Sequence, residues 1–380
     1  MKNKQVLALV IMLCSLLNIS LVYGAPNKPS GLCINHNCIK TIINGKGTKW
    51  HPGHYINAGH KRASFPELVN QPLFKGAKVD LNWTDLESEK GVYHFDDVRT
   101  ALDELTSMDK HLFIMIRYKT FNKHARSGAC APTDIHDDGN VEYVYYKDNE
   151  STPEDESLRL RKCIAAFWRP AVTERLNALI TALGEEFNDH PNFEGVVLPE
   201  TAIGTMESNP RDFNDDTVIT AFKSMLSNSS QAFPNTSVIQ FANWMKGAEP
   251  AMAELIQHAH DVGKGFGGPD LMPEKHSHAT FLFKGYAGLM PLAIDNQWGG
   301  DQDYIYSNGQ TRPGRTPDEM YYYAVDDPNG LHANYIFWST QGNDVWDFKT
   351  DIAPMIESKQ GRINEACPKN LMPCITKEQP

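Results

Sequence analysis

Glu200 is the residue whose setting most suggests chemistry. It follows the apolar run Val196–Val197–Leu198 and then Pro199, which has no N–H to give a sheet ladder and so ends an interior strand. A carboxyl group at such a point is partly withdrawn from water, which raises its pKa and keeps a proton available for a leaving group. Two aspartates close later apolar runs in the same way: Asp270 after Gly267–Gly268–Pro269, and Asp295 after Leu292–Ala293–Ile294. Either can partner Glu200 as a nucleophile or as the base that activates water.

The other run ends carry a consistent chemistry: His51 and His54; Asp80, Asn82 and Trp83; Arg117; Asn243 and Trp244; Gln297 and Trp298; and Trp338. Acids and amides satisfy hydroxyl groups, while indole faces stack on apolar C–H surfaces. That mixture suits a carbohydrate, and these residues are expected to be its contacts. Arg117 is expected to orient a carboxylate or neutralise an anionic substrate.

Something must bring these ends together. Apolar segments of strand length occur at 49–57, 77–83, 111–118, 193–200, 238–244, 263–270, 291–298 and 334–340. Amphipathic segments of helix length lie between them, at 96–108, 170–188, 248–260, 316–325 and 345–358. In the clearest of these, Pro170 suits a first helical turn, and Val172, Leu176, Leu179, Ile180, Leu183 and Phe187 share one face. Eight such units predict an α/β protein with a single (β/α)8 TIM barrel, whose chemistry gathers at the carboxyl ends of the strands. An open doubly wound sheet would place a glycine-rich phosphate loop after its first strand, and here the first apolar segment contains His51-Pro52-Gly53-His54 instead. The expected organisation is a signal peptide at 1–24, an extension at 25–48, the barrel at 49–360 and a tail at 361–380. A polar insertion at 119–169 follows the third strand.

The stretch Asn82–Trp83–Thr84–Asp85–Leu86–Glu87–Ser88–Glu89–Lys90–Gly91–Val92–Tyr93–His94–Phe95–Asp96 resembles the W-x-x-L-E-x-x-x-G-x-Y-x-F segment after strand 2 of certain (β/α)8 glycoside hydrolases, the group containing β-galactosidases, xylanases and cellulases. The resemblance implies a glycosidase in which an acid/base Glu follows strand 4 and a nucleophile follows strand 7. By strand placement that maps Glu200 onto the acid/base and Asp295 onto the nucleophile region. Pro199 stands where those families usually carry Asn, and their strand-7 residue is Glu where Asp295, Asn296 and Gln297 stand here. A barrel that binds glycans without cleaving them is the alternative, and a metal-dependent hydrolase a more distant one.

The remaining sequence bounds the setting. Lys2 and Lys4 precede the apolar run 6–17, and Val22 and Gly24 are small residues before a cut at Ala25, as in a secretory signal; the protein is expected to be secreted or periplasmic. Once that signal is removed, no segment predicts a membrane span. Six cysteines follow it: Cys33, Cys38, Cys130, Cys163, Cys367 and Cys374. An even number in an exported chain favours disulfides, and nearest-neighbour pairing joins them in that order, although sequence alone leaves connectivity open. Over the whole chain, 36 Lys and Arg against 47 Asp and Glu give a formal charge of -11, which argues against a nucleic-acid partner. The pairs His51/His54, His258/His260 and His276/His278 lack the distribution over several strand ends that a catalytic metal needs. With no HExxH, GxSxG or P-loop motif either, neither a metal nor a cofactor is expected.

Overall fold

The computed structural model describes residues 32–34, 37–39, 47–60, 62–120, 130–145, 161–206, 210, 212–243, 249–271, 284–296, 304–305, 311–312, 314–340 and 346–376. The proposed signal peptide at 1–24 lies outside them, as do Trp244, Gln297 and Trp298. The chain divides into Met1–Gly47 and Thr48–Pro380. In the first unit, Leu32–Ile34 pairs antiparallel with Asn37–Ile39, and Cys33 stands opposite Cys38 in the ladder.

The second unit is a barrel of eight parallel strands: β1 Gly53–Gly59, β2 Phe74–Asn82, β3 His111–Arg117, β4 Phe193–Leu198, β5 Ser237–Phe241, β6 Gly265–Gly268, β7 Leu292–Asn296 and β8 Tyr335–Ser339. Each pairs with the next in chain order, and β8 returns to β1 to close the cylinder. The (β/α)8 expectation is met. Helices on the outside include α1 Asp96–Thr106, α2 Pro170–Phe187, α3 Asp215–Ala232, α4 Glu249–Asp261, α5 Pro317–Tyr321 and α6 Ala353–Ser358.

The strands read as nearly continuous apolar runs because both faces are covered. On β3, Leu112, Ile114 and Ile116 pack outward with Val172, Leu176 and Leu179 of α2 in the outer core. Phe113 and Met115 point into the lumen, where they join Tyr55, Val197, Ile239, Phe241, Ala293, Tyr335 and Phe337. Phe113 meets Tyr335 and Phe337 edge-on, with centroids 5.0 and 5.1 Å apart. Gly195 makes room for it: a Cβ there would lie 2.0 Å from a Phe113 ring carbon.

The tail belongs to this unit. Cys374–Ile375 pairs in parallel with Thr48–Lys49, and Leu371 and Trp50 close the amino-terminal end of the lumen. That ladder explains a shift in the first strand. Thr48 and Lys49 serve the tail ladder, and the barrel strand begins only at Gly53. The inserted segment after β3 contributes Val141–Tyr145 and Arg161–Ala165, an antiparallel pair joined by Thr205–Met206. Cys130 is bonded to Cys163 and Cys367 to Cys374. Among the described residues, no helix is long and apolar enough to cross a membrane.

Candidate active site

Glu200 lies two residues beyond β4, at the carboxyl-terminal mouth of the barrel. It lines a pocket with Met115, Arg117, Lys119, Pro199, Phe241 and Pro269. Its two carboxylate oxygens are held from opposite sides. Lys119 Nζ lies 3.3 Å from Oε1 and also donates to the carbonyl oxygens of Glu200 and Ala202 at 2.9 and 2.8 Å. Asn243 Nδ2 donates to Oε2 at 2.7 Å and, from the same atom, to Asp270 Oδ2 at 3.2 Å. The amide therefore brings Glu200 and Asp270 together, their near oxygens no farther apart than those two bonds laid end to end.

The backbone fixes this arrangement. Thr201 Oγ1 donates to the Asn243 carbonyl at 2.9 Å and accepts from the Asn243 amide at 3.1 Å, tying the β4 and β5 ends reciprocally. Gln240 Nε2 donates to the Pro199 carbonyl at 2.7 Å. Leu271 donates its amide to the Asp295 carbonyl at 2.9 Å, and Asp270 bridges Asn296 at the end of β7. Burial pulls the Lys119 ammonium below the ordinary lysine range, against the opposing charge of Glu200.

Asp295 occupies a different environment. Its side chain is wholly buried, accepts from Asn57 Nδ2 at 3.0 Å on each oxygen, and lies 3.0 Å from Lys78 Nζ. Lys78, also wholly buried, donates to Asp80 at 2.9 Å, and Asp80 further accepts from Arg117. Burial pushes the Asp80 carboxyl upward, but Lys78 and Arg117 outweigh it and bring its pKa to about 2. Burial likewise lowers the Lys78 ammonium, and Asp295 and Asp80 more than restore it, so its pKa is raised. This charged lattice floors the mouth and engages Arg117 with Asp80.

Several residues expected to contact substrate lie elsewhere. Trp83 is buried in the outer core, and its indole donates to Glu87 Oε2 at 2.6 Å. Glu87 also accepts from the Gly91 amide at 2.8 Å and from Arg175 Nε on α2 at 3.0 Å. Gly91 has φ of 77°, a left-handed turn that a side chain would strain. The W-x-x-L-E-x-x-x-G spacing is thus a latch between the β2 end and α2. Asn82 donates to its neighbour Asp85 at 2.8 Å.

Trp338 is buried on the outer face of β8 and donates its indole N–H to His54 Nδ1 at 3.1 Å. An indole only donates, so Nδ1 carries the lone pair and His54 Nε2–H donates to the Arg362 carbonyl at 3.3 Å. Only the neutral ring satisfies both partners, and burial lowers its pKa to about 4. His51 precedes β1 at the amino-terminal end and bonds Glu194, far along β4 from Glu200. The structure thus brings together Glu200, Asp270 and Asn243 at the mouth, with Asp80, Arg117 and Asp295 in the lattice beneath. His51, His54, Trp83 and Trp338 are not part of it.

Lys119, Lys78 and Asn57 also hold the site and its floor, beyond the residues the strand ends suggest. Lys78, Asp80 and Asn82 alternate at the strand period, a sign of three polar side chains on one face of an otherwise apolar run. Lys119 falls one residue past the expected end of the third strand. Among the described residues, the one set of His, Cys, Asp or Glu close enough to hold a metal is His51, His111 and Glu194, at the opposite end of the barrel.

No protein-family model matches the chain, and no curated protein matches it. Its fold has solved counterparts, glycoside hydrolases among them. The catalytic domain of β-amylase from Paenibacillus polymyxa superposes with a TM-score of 0.54 at 9% identity, over 84% of this chain and 100% of that one. Endo-glycoceramidase II from Rhodococcus sp. superposes with a TM-score of 0.51 at 10% identity, over 82% of this chain and 80% of that one. At such identities the likeness is one of fold: this chain has the eight-stranded barrel architecture found in those glycoside hydrolases.

Proposed function

We propose that the chain is an exported glycoside hydrolase that cleaves a poly- or oligosaccharide with Glu200 and Asp270 as its carboxylate pair. The observation that carries this reading is the shared Asn243 amide, which holds one oxygen of each acid at the carboxyl-terminal mouth. Retaining glycosidases space their carboxyl groups about 5–5.5 Å apart, and the shared donor keeps these two within that order of separation.

In the reaction, the Asp270 carboxylate attacks the anomeric carbon as the glycosidic C–O bond breaks, and Glu200 gives its proton to the departing oxygen. Lys119 and Asn243 then stabilise the carboxylate left on Glu200, because both donate to its ionised form. In the second step Glu200 takes a proton from water, and the water oxygen releases the sugar from Asp270. Asp295 is a weaker choice of nucleophile because Lys78 and Asn57 engage both its oxygens away from solvent. The disulfides Cys130–Cys163 and Cys367–Cys374 support an oxidising compartment, as does the basic and apolar segment at 1–24.

The test is hydrolysis of a panel of polysaccharides by the wild type and by Glu200→Gln. The expected result is cleavage by the wild type and a loss of about 10²–10⁴-fold in the variant, with glycan binding retained. Binding without cleavage by either protein would replace this reading with that of a glycan-binding barrel.

A further inference from the structure

The amino-terminal end of the barrel carries a second cluster of chemically capable side chains, unused by the reaction above. His51 lies in the segment entering β1, His111 is the first residue of β3, and Glu194 is the second residue of β4. One ligand atom from each lies within 4.8 Å of the others. We infer that these three residues form a binding site for a divalent cation of the zinc class.

The donors and their support both fit such an ion. Two imidazole nitrogens and a carboxylate oxygen are a set that zinc takes, with water completing the coordination. Glu194 is wholly buried, and its Oε1 accepts from the His51 amide at 2.8 Å and from the Tyr335 hydroxyl at 2.7 Å. Those bonds orient the carboxylate as outer partners orient a metal ligand, and turn Oε2 toward His51 Nδ1 at 2.7 Å. A cation entering there takes the place of the proton between Nδ1 and Oε2, which leaves to water. His111 supplies the third donor from a ring whose Nδ1 is buried without a hydrogen-bond partner among the described residues.

The two rings lie stacked, 3.9 Å between centroids and 17° from parallel. Coordination therefore requires one ring to turn out of the stack so that its lone pair meets the ion. Both residues are only partly buried. The ion would join the entry to β1, the start of β3 and the start of β4. The same end is already tied to the tail by the Trp50 indole, which donates to the Glu365 carbonyl at 2.8 Å. Its place is a brace of the closed end, separate from the mouth.

The experiment uses the full chain after chelator treatment, titrated with cobalt(II) and followed by visible absorption, then displaced by zinc(II), with thermal melts alongside. One cobalt per chain, displaced by zinc, and a melting temperature that rises with zinc are expected. His111→Ala should weaken cobalt binding by about 100-fold or more, and Tyr335→Phe, which keeps all three ligands, by about 10–100-fold. Failure of the wild type to bind cobalt at millimolar concentration would overturn the site and show a hydrogen-bonded cluster only. So would binding that both variants leave unchanged. Neither result depends on hydrolase activity, so this inference and the proposed reaction fail separately.

Discussion

Glu194 and Glu200 stand at opposite ends of the same stretch of chain, and the barrel treats them differently. At the amino-terminal end, Glu194 is wholly buried under three donors: the His51 amide, the His51 ring and the Tyr335 hydroxyl. Burial pushes its carboxyl up, and the hydrogen bond and charge of His51 outweigh that, so its pKa is lowered. At the mouth, Glu200 is also held by donors, yet its side chain keeps 11% of its exposure and lines a pocket. Asp295 and Asp270 repeat the contrast on neighbouring strands: the first is enclosed by Lys78 and Asn57, the second meets Glu200 across one amide. A carboxylate at a strand end is therefore not diagnostic by itself. On the proposed reading, what separates a structural carboxylate from a reacting one is whether its partners leave it at a solvent-reached pocket, as they leave Glu200.

From this contrast, substitutions in the enclosed networks are expected to cost stability and those at the mouth to cost the proposed activity. The largest stability effect is expected for Lys78→Met, which strands Asp80 and Asp295 as neighbouring buried charges. Breaking such a network costs about 3–5 kcal/mol, read as a lower urea midpoint. If the midpoint did not move, the lattice would not be the structural floor described here.

Acid should act next. His54 has a folded pKa of about 4 against an ordinary 6.5, so the unfolded chain takes up the proton first. The neutral ring's contribution is present above pH 6.5 and is lost as pH falls from there to about 4. The shift corresponds to on the order of 3 kcal/mol. Burial also lowers His111 to about 4 and adds in the same direction. Urea unfolding from pH 7.5 to 4 should therefore show a decline that His54→Gln makes shallower without abolishing. An unchanged slope would contradict the neutral tautomer between Trp338 and Arg362.

Gly195→Ala is expected to cost about 1–3 kcal/mol, because the new methyl group collides with the Phe113 ring in a filled lumen. The smallest effect belongs to the mouth: Asp270→Asn, nearly isosteric and partly exposed, should change stability by less than about 1 kcal/mol. A large loss there would place Asp270 among the structural acids.

Much of the architecture was legible. Strands buried on both faces announce themselves as apolar runs, and the α2 stripe from Val172 to Phe187 matches the buried face of the helix. Helix α3 is hard to see in sequence because Ser224, Ser227, Asn228, Ser229 and Ser230 dilute its pattern. Its buried Val218, Phe222, Met225 and Leu226 nevertheless keep helical spacing, and Asn214 and Thr217 form its capping box.

The site was legible only where local sequence sufficed. Pro199 marks the end of β4, but nothing local distinguishes Asp295 from Asp270. The residues that enclose Asp295 are Asn57 and Lys78, more than 200 positions earlier in the chain. His51 sits at the amino-terminal end and not at the mouth, because residues 48–49 serve a ladder with the distant tail, which local sequence does not show. In sequence Trp83 looks like a sugar platform, because a sequence shows an indole without showing that its N–H is committed to Glu87.

The most direct test of the carboxylate pair is covalent trapping with a panel of 2-deoxy-2-fluoro glycosides carrying activated leaving groups, followed by peptide mapping. Asp270 is expected to carry the glycosyl ester, which also forms in Glu200→Gln because an activated leaving group needs no proton from Glu200. An ester on Asp295 instead would contradict the assignment of Asp270 as nucleophile and of Asp295 as structure.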